Sequence, residues 1–313
     1  MSKKILGLVA AFVFAAVGAQ SLMAQEVNSN GTPVQMVVTV EAHKGSDVPA
    51  VSSNDVMVRE GKTQDQVTGW VPAQGQNAGL ELFVLIDDSS ARNVDLQFSD
   101  VKKFIDAQPA STLIGVAYMQ NGTARIEQSL TNDHEAAKKA LRIPLGMRGV
   151  NSSPYFAFSD LMKRWRESKN RRDVLMITDG IDLYYGVGDL QDPYLDSAID
   201  AALKGGVQVS AIYNPDVGHF GHSYWLAYWG QMYLAEIAER TGGEAYSIGM
   251  SGPPVEFAPF LSDLANRLNH QYILTFVAKP EKKAGLRNVK VATEVKNAQL
   301  VSAQQVYVPA TPE

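Results

Sequence analysis

Residues Leu82–Asn93 read LFVLIDDSSARN. Leu82 to Ile86 form an unbroken apolar run, and two carboxylates and two hydroxyls follow at once. A strand needs such a run when helices cover both of its faces, as in a parallel sheet. Polar groups bunched at its carboxyl end lie where open α/β sheets bind ligands.

The sequence on either side keeps this rhythm. Val94, Phe98, Val101 and Ile105 recur at helical spacing, and Asp133 to Leu141 suits a short helix. Between them, LIGVAYM (113–119), Asn121-Gly122 and TARIEQSL form a hairpin, because Asn-Gly fits a tight primed turn. Ser153-Pro154 and Asp192-Pro193 are helix starts, each a polar N-cap with proline at the first helical position. Gly205-Gly206 ends the second of these helices. The strands DVLMI (173–177), VQVSAIY (207–213), EAYSI (244–248) and YILTFVA (272–278) alternate with the helices QMYLAEIAER and FAPFLSDLANRLNHQ. This alternation predicts an α/β fold over residues 80–278: a doubly wound, mostly parallel sheet with one antiparallel edge strand.

The flanks read differently. VQMVVTVEAH (34–43) alternates like a half-buried strand, and DVMVREGKTQDQVTGWVPA turns around Glu60-Gly61-Lys62. AQGQNAG (73–79) has linker composition. LRNVKVATEV and AQLVSAQQVYVP read as two further strands without helices. Residues 33–76 and 285–308 are therefore expected to pair into one small accessory β unit.

Residues 1–24 are excluded from the fold. Lys3 and Lys4 precede an apolar run from Ile5 to Ala19, with small residues at the expected cut. That is the pattern of a secretory signal peptide, and its apolar core is shorter than the roughly 20 residues of a spanning helix. An uncleaved anchor is the alternative; cleavage would leave no stable membrane insertion. Export predicts a periplasmic or secreted protein.

The chain has 313 residues, 45% hydrophobic and 19% charged, enough for a sizeable core. With a net charge of −5 it carries no basic field for nucleic acid. The absence of cysteine excludes disulfides, thiolate metal sites and lipid attachment through an N-terminal cysteine.

In a doubly wound sheet, Asp87 and Asp88 after the first strand and Thr178-Asp179-Gly180 after the strand of the second half should flank one crevice. Asp87, Asp179 and Asp182 would then converge with Ser89, Ser152, Ser153 and Thr178. Such an all-oxygen set suits a hard cation such as Mg²⁺.

The apolar strand with Asp-x-Ser, the middle loop GVNSSP and the later VLMITDGID together resemble the von Willebrand factor type A (vWA) domain. The flanking β segments resemble the architecture of VWFA-related exported proteins of acidobacteria. The resemblance covers nearly all of the chain after residue 24. It implies a Rossmann-like sheet, protein–protein recognition rather than catalysis, and a metal-ion-dependent adhesion site. Metal-binding members use Asp-x-Ser-x-Ser in the first loop, a threonine in the second and an aspartate in the third. Asp87, Ser89 and Asp179 match; Ser152 or Ser153 stands for the threonine; Ala91, at the third position of the first motif, has no oxygen and breaks it. The expectation is an incomplete site for Mg²⁺, or a metal-free remnant whose acids bond neighbouring groups.

A partner-binding rim is expected from Asp88, Asp182, Tyr184, Tyr185, His219, His222 and Trp225. The last three belong to the aromatic stretch HFGHSYWLAYWGQMY, and aromatic residues with polar handles are favoured where partners are gripped. Their alternative is a lid whose rings pack inward. A second reading takes Asp216, His219 and His222 as a Zn²⁺ cluster of a metal-dependent hydrolase. No Gly-x-Ser-x-Gly elbow is present. Acid pairs also end the first strand of phosphoacceptor receiver domains, but the distance to Lys279-Pro280 is too long for one. A dinucleotide turn would need glycines where DDSSA stands. The basic run KRWRESKNRR (163–172) reads as a solvated helix end on the opposite rim.

Overall fold

A computed structural model describes residues 31–43, 47–90, 92–186, 188, 192–215, 223–247 and 256–310. The expected signal peptide lies outside these residues. In chain order the N-terminal part holds β1 (Thr32–Ala42), β2 (Val56–Glu60) and β3 (Thr63–Pro72). The α/β part follows with β4 (Leu80–Asp87), α1 (Phe98–Asp106), β5 (Leu113–Gln120), β6 (Thr123–Thr131), α2 (His134–Lys139) and α3 (Pro154–Arg164). It continues with β7 (Arg171–Thr178), α4 (Pro193–Gly205), β8 (Val207–Tyr213), α5 (Tyr224–Thr241), β9 (Ala245–Tyr246) and α6 (Ala258–Asn269). The chain closes with β10 (Gln271–Ala278), β11 (Gly285–Asn288), β12 (Lys290–Thr293), β13 (Ala298–Ser302) and β14 (Gln305–Val308).

The α/β sheet has the order β6-β5-β4-β7-β8-β9. Its ladders are parallel except β5/β6, which turns at Asn121-Gly122 with both φ angles positive. Every residue of β4 is buried. Phe83 and Leu85 point into a core with Phe158 of α3, Ile199 of α4 and Leu234 of α5. Leu82, Val84 and Ile86 pack on the other face against Ile105 of α1 and Leu264 of α6. Burial on both faces is the reason the β4 sequence shows no alternation. The helix starts form as the sequence predicts: the Ser153 hydroxyl accepts from Phe156 N, and the Asp192 carboxylate accepts from Tyr194 N and Leu195 N.

Four expectations are corrected. Strand β10 does not belong to the α/β sheet; it pairs antiparallel with β1 and β3 in a second sheet of order β12-β2-β3-β10-β1-β13. The division expected at residue 278 therefore falls between α6 and β10. A strand directly after a helix reads as the next parallel strand, but β10 alternates in burial, the mark of a half-covered sheet. The β unit is also not small, since its sheet has six strands. The two C-terminal runs each split in two: β11 leaves to pair with β14 in a separate ribbon, and Val289 N donates to Gln304 O where the chain changes sheets.

The fourth correction concerns the basic run. Lys163 and Arg164 occupy the last turn of α3 as expected, but Arg171 and Arg172 are buried. Arg171 donates to the carbonyls of Leu268 and Ala78 and to Gln271 Oε1; Gln271 in turn donates to Gln208, and Gln208 to Val37 O. This chain of bonds ties the base of the α/β sheet to β1. Arginine rather than lysine serves here because its fork reaches several carbonyls at once.

Asp173 sits beside Arg171 with 4% of its surface exposed. Burial pushes its carboxyl up to about 6, against the lowering pull of Arg171 and a hydrogen bond from Gln271. The folded state therefore binds a proton that the unfolded chain releases near pH 4, and the resulting stability is lost as pH rises through 6. Between pH 4 and pH 7, wild type should lose about 2–3 kcal/mol relative to Asp173→Asn. Urea midpoints of both proteins across that range measure it; parallel pH curves would contradict the shift.

Candidate functional site

The register of β4 against β7 pairs Ile86 with Ile177, which brings Asp87 level with Thr178 and close to Asp179. Asp87 Oδ1 accepts from Ser89 N (2.9 Å) and Ser89 Oγ (2.6 Å), and Oδ2 accepts from Thr178 Oγ1 (2.8 Å). Burial, and next the charge of Asp179, raise the Asp87 carboxyl, while the bonds from Ser89 and Thr178 oppose the rise. The two acids that the sequence places apart thus share one electrostatic site. Strand β8 joins them: Asn214 Nδ2 donates to Ser90 Oγ (3.2 Å), and Asn214 N to Thr178 O (2.8 Å).

Asp179 is engaged as well. Its Oδ1 accepts from Ile181 N (3.0 Å), and its Oδ2 accepts from Arg148 Nη2. Arg148 stands on the loop between α2 and α3, four residues before the Ser152-Ser153 pair. The same loop carries Arg142, whose guanidinium forks onto Asp88 (Nη1–Oδ1 2.7 Å, Nη2–Oδ2 3.0 Å) above the Tyr118 ring. Leu145 N also donates to Asp88 Oδ1, and Gly146 N donates to Asp88 O. Sequence reasoning passed over both arginines. Each stands near a buried carboxylate, and buried carboxylates need partners.

The remaining expected site residues divide. Ser153 does not turn to Asp87 or Asp179: its hydroxyl donates to Asp182 Oδ2 (2.7 Å) and caps α3. Ser152 meets the third loop through its backbone, with Leu183 N donating to Ser152 O. Asp88 and Asp182 are buried and present no surface to a partner. Asp182 Oδ1 instead accepts from Tyr184 N and Tyr185 N, which shapes the turn carrying those rings. Tyr184, Tyr185 and Trp225 are exposed, as a rim requires. His219, His222 and Asp216 lie outside the described residues. Among the described residues, no three or more His, Cys, Asp or Glu side chains are grouped to hold a metal ion.

Apolar groups collect on this rim. Of the exposed large apolar residues among those described, all but Val71 and Tyr307 lie on loops or helix starts at the carboxyl end of the α/β sheet. They include Ile143, Leu145, Met147 and Val150 on the arginine loop, Leu96 after β4, Leu183, Tyr184 and Tyr185 after β7, and Tyr224, Trp225 and Tyr228 at the start of α5. Met147 is 70% and Val150 91% exposed. The outer rings continue inward in edge contacts, Trp225 on Trp229, and Tyr184 and Phe156 on Tyr194. Of the two readings of the aromatic stretch, the outer rings face solvent and Tyr233 packs in the core.

No family model and no curated protein matches the chain. Solved structures do. A structure of an aerotolerance-related membrane protein from Bacteroides fragilis is 16% identical, with a TM-score of 0.45, over 61% of this chain and 99% of its own. A von Willebrand factor type A structure from Catenulispora acidiphila is 12% identical, with a TM-score of 0.43, over 91% and 76%. The von Willebrand factor domain of a type V pilus tip protein from Porphyromonas gingivalis is 11% identical, with a TM-score of 0.42, over 64% and 96%. These likenesses concern the fold; they assign no residue a role and do not reach the acidobacterial subtype.

Proposed function

We propose that this vWA-like chain is an exported, noncatalytic protein-binding module that recognises its partner through the carboxyl rim of its α/β sheet. The observation that carries the reading is the collection of exposed apolar side chains on that rim. Contiguous exposed apolar surface marks interaction sites, since it costs free energy to leave in water. Aromatic and methionine side chains are the residue types enriched where interfaces form. The rim loops are also held in place from below, by Asp88, Asp182 and Asp179 through side-chain bonds, which lowers the ordering cost of the loop backbone on binding. Among the described residues no helix is long and apolar enough to cross a membrane. Export rests on the N-terminal sequence and places the module in the periplasm or outside the cell.

The test compares capture by wild type, a rim variant (Leu145→Ser, Met147→Ser, Trp225→Ser) and a control variant (Val71→Ser, Tyr307→Ser). The bait is the full chain after residue 24, presented to the native envelope fraction. A partner retained by wild type and the control, and lost at least tenfold by the rim variant, is the expected result. Equal capture by all three would remove the rim from the account.

A further inference from the structure

One of the two acids at the centre of the rim, Asp179, already holds a cation. Arg148 projects from the middle loop onto Asp179, and its side chain is only 18% exposed. Asp87 accepts on both carboxylate oxygens, from Ser89 and from Thr178. The second-loop hydroxyl of Ser153 is directed to Asp182 and to the α3 amide, and in sequence the third position of the first-loop motif is Ala91, with no side-chain hydroxyl. A hard divalent ion requires about six oxygens in near-octahedral array, and it would meet a fixed positive charge at the carboxylate best placed to bind it. With Arg148 on Asp179 the site has no place for a divalent cation; it is filled by a guanidinium, whose planar fork suits carboxylates.

We propose that Arg148 takes the place of the metal ion: it supplies the positive charge beside Asp179, the neighbour of Asp87, from within the chain, and the rim works without a divalent cation. Arg142 repeats the arrangement on Asp88. The loop between them is thereby pinned at both ends, and Leu145 and Met147 stand outward between the pins. This rim offers apolar side chains on a base in which Asp88 and Asp179 are each paired with an arginine. The pairing of Arg148 with Asp179 does not depend on the rim having a protein partner, so the experiments on capture and on metal fail separately.

Thermal unfolding of the chain after residue 24 tests the substitution, in EDTA and in 10 mM Mg²⁺ or Mn²⁺. Wild type should show the same Tm in all three. Arg148→Ala should melt roughly 5 °C lower in EDTA, because two buried acids are left facing each other, and should recover with Mg²⁺ or Mn²⁺. The double variant Asp87→Asn, Arg148→Ala should show no recovery. Arg148→Lys keeps the charge and should remain indifferent to metal; it serves if Arg148→Ala does not fold. Broadening of wild-type amide signals near Asp87 and Asp179 by Mn²⁺, or a wild-type Tm that rises with Mg²⁺ and fails to rise in Asp87→Asn, would overturn the proposal. So would an Arg148→Ala protein as stable in EDTA as wild type.

Discussion

Replacing Gly230 with alanine is expected to destabilise the protein by about 3 kcal/mol, although the same change in an exposed helix gains about 1 kcal/mol. Gly230 lies within α5, and a Cβ there would stand 2.0 Å from the carbonyl oxygen of Asp179 and 3.3 Å from Ile181 Cγ1. The contact is reciprocal, since a Cβ on Gly180 would come 2.5 Å from Gly230 O. Gly180 also has a φ of +71°, which favours glycine for its own conformation. On the far side, Tyr155 donates to Gly180 O at 2.7 Å from a wholly buried position in α3. The exit from β7 is thus held between α5 and α3 and has no direction in which to yield. Overpacking of this kind normally costs about 1–3 kcal/mol, and backbone facing backbone puts it at the upper end. Urea denaturation gives the number, and a fall in Tm on the order of 8 °C should accompany it. A variant as stable as wild type would mean that α5 is free to slide over the Asp179 loop.

Asp88→Ala should cost about 2–3 kcal/mol and loosen the loop from Arg142 to Val150. The carboxylate is 2% exposed and accepts the Arg142 fork, Leu145 N and a long bond from Gln120. Removing one partner of a fully buried pair costs about 3–5 kcal/mol. Arg142 is partly exposed and keeps Glu127 at 3.1 Å, so solvent and that second acid lower the figure. The distinguishing readout is local. Amide exchange at Leu145 should quicken in Asp88→Ala far more than exchange in β4, because its acceptor is the Asp88 carboxylate, and Gly146, held by the carbonyl of residue 88, should quicken less. Asp88→Asn keeps an acceptor for Leu145 N and should lose less. A global loss without local loosening would mean that Asp88 supports the core and not the rim loop.

Much of the fold was legible because burial leaves a periodic record. The unbroken apolar run of β4, the capped starts of α3 and α4, and the Asn-Gly turn of β5/β6 all follow from rules that act within a few residues. Those same rules brought Asp87 and Asp179 to one crevice. Strand β10 was misplaced because local rules do not say which sheet a strand joins; its partners β1 and β3 lie some 200 residues earlier in the chain. The arginines were missed for a similar reason. In sequence, Arg142 and Arg148 sit in an unremarkable loop, and what defines them is the carboxylate each one reaches, 54 and 31 residues away. Asp88 and Asp182 were read as surface groups because an acid in a loop is usually solvated; both are buried by loops that fold over them.

Local residue order sets the alternation of strands and helices, the β segments that flank it, and the strand ends at which acids and hydroxyls gather. What those acids bind depends on how distant loops close over them. Ser89 and Thr178 turn to Asp87, Ser153 turns to Asp182, and a guanidinium from the middle loop meets Asp179. The physical reason is range. Backbone propensity and burial period act over one turn or one pleat, whereas the charge balance of a buried site is a sum over every loop that closes on it.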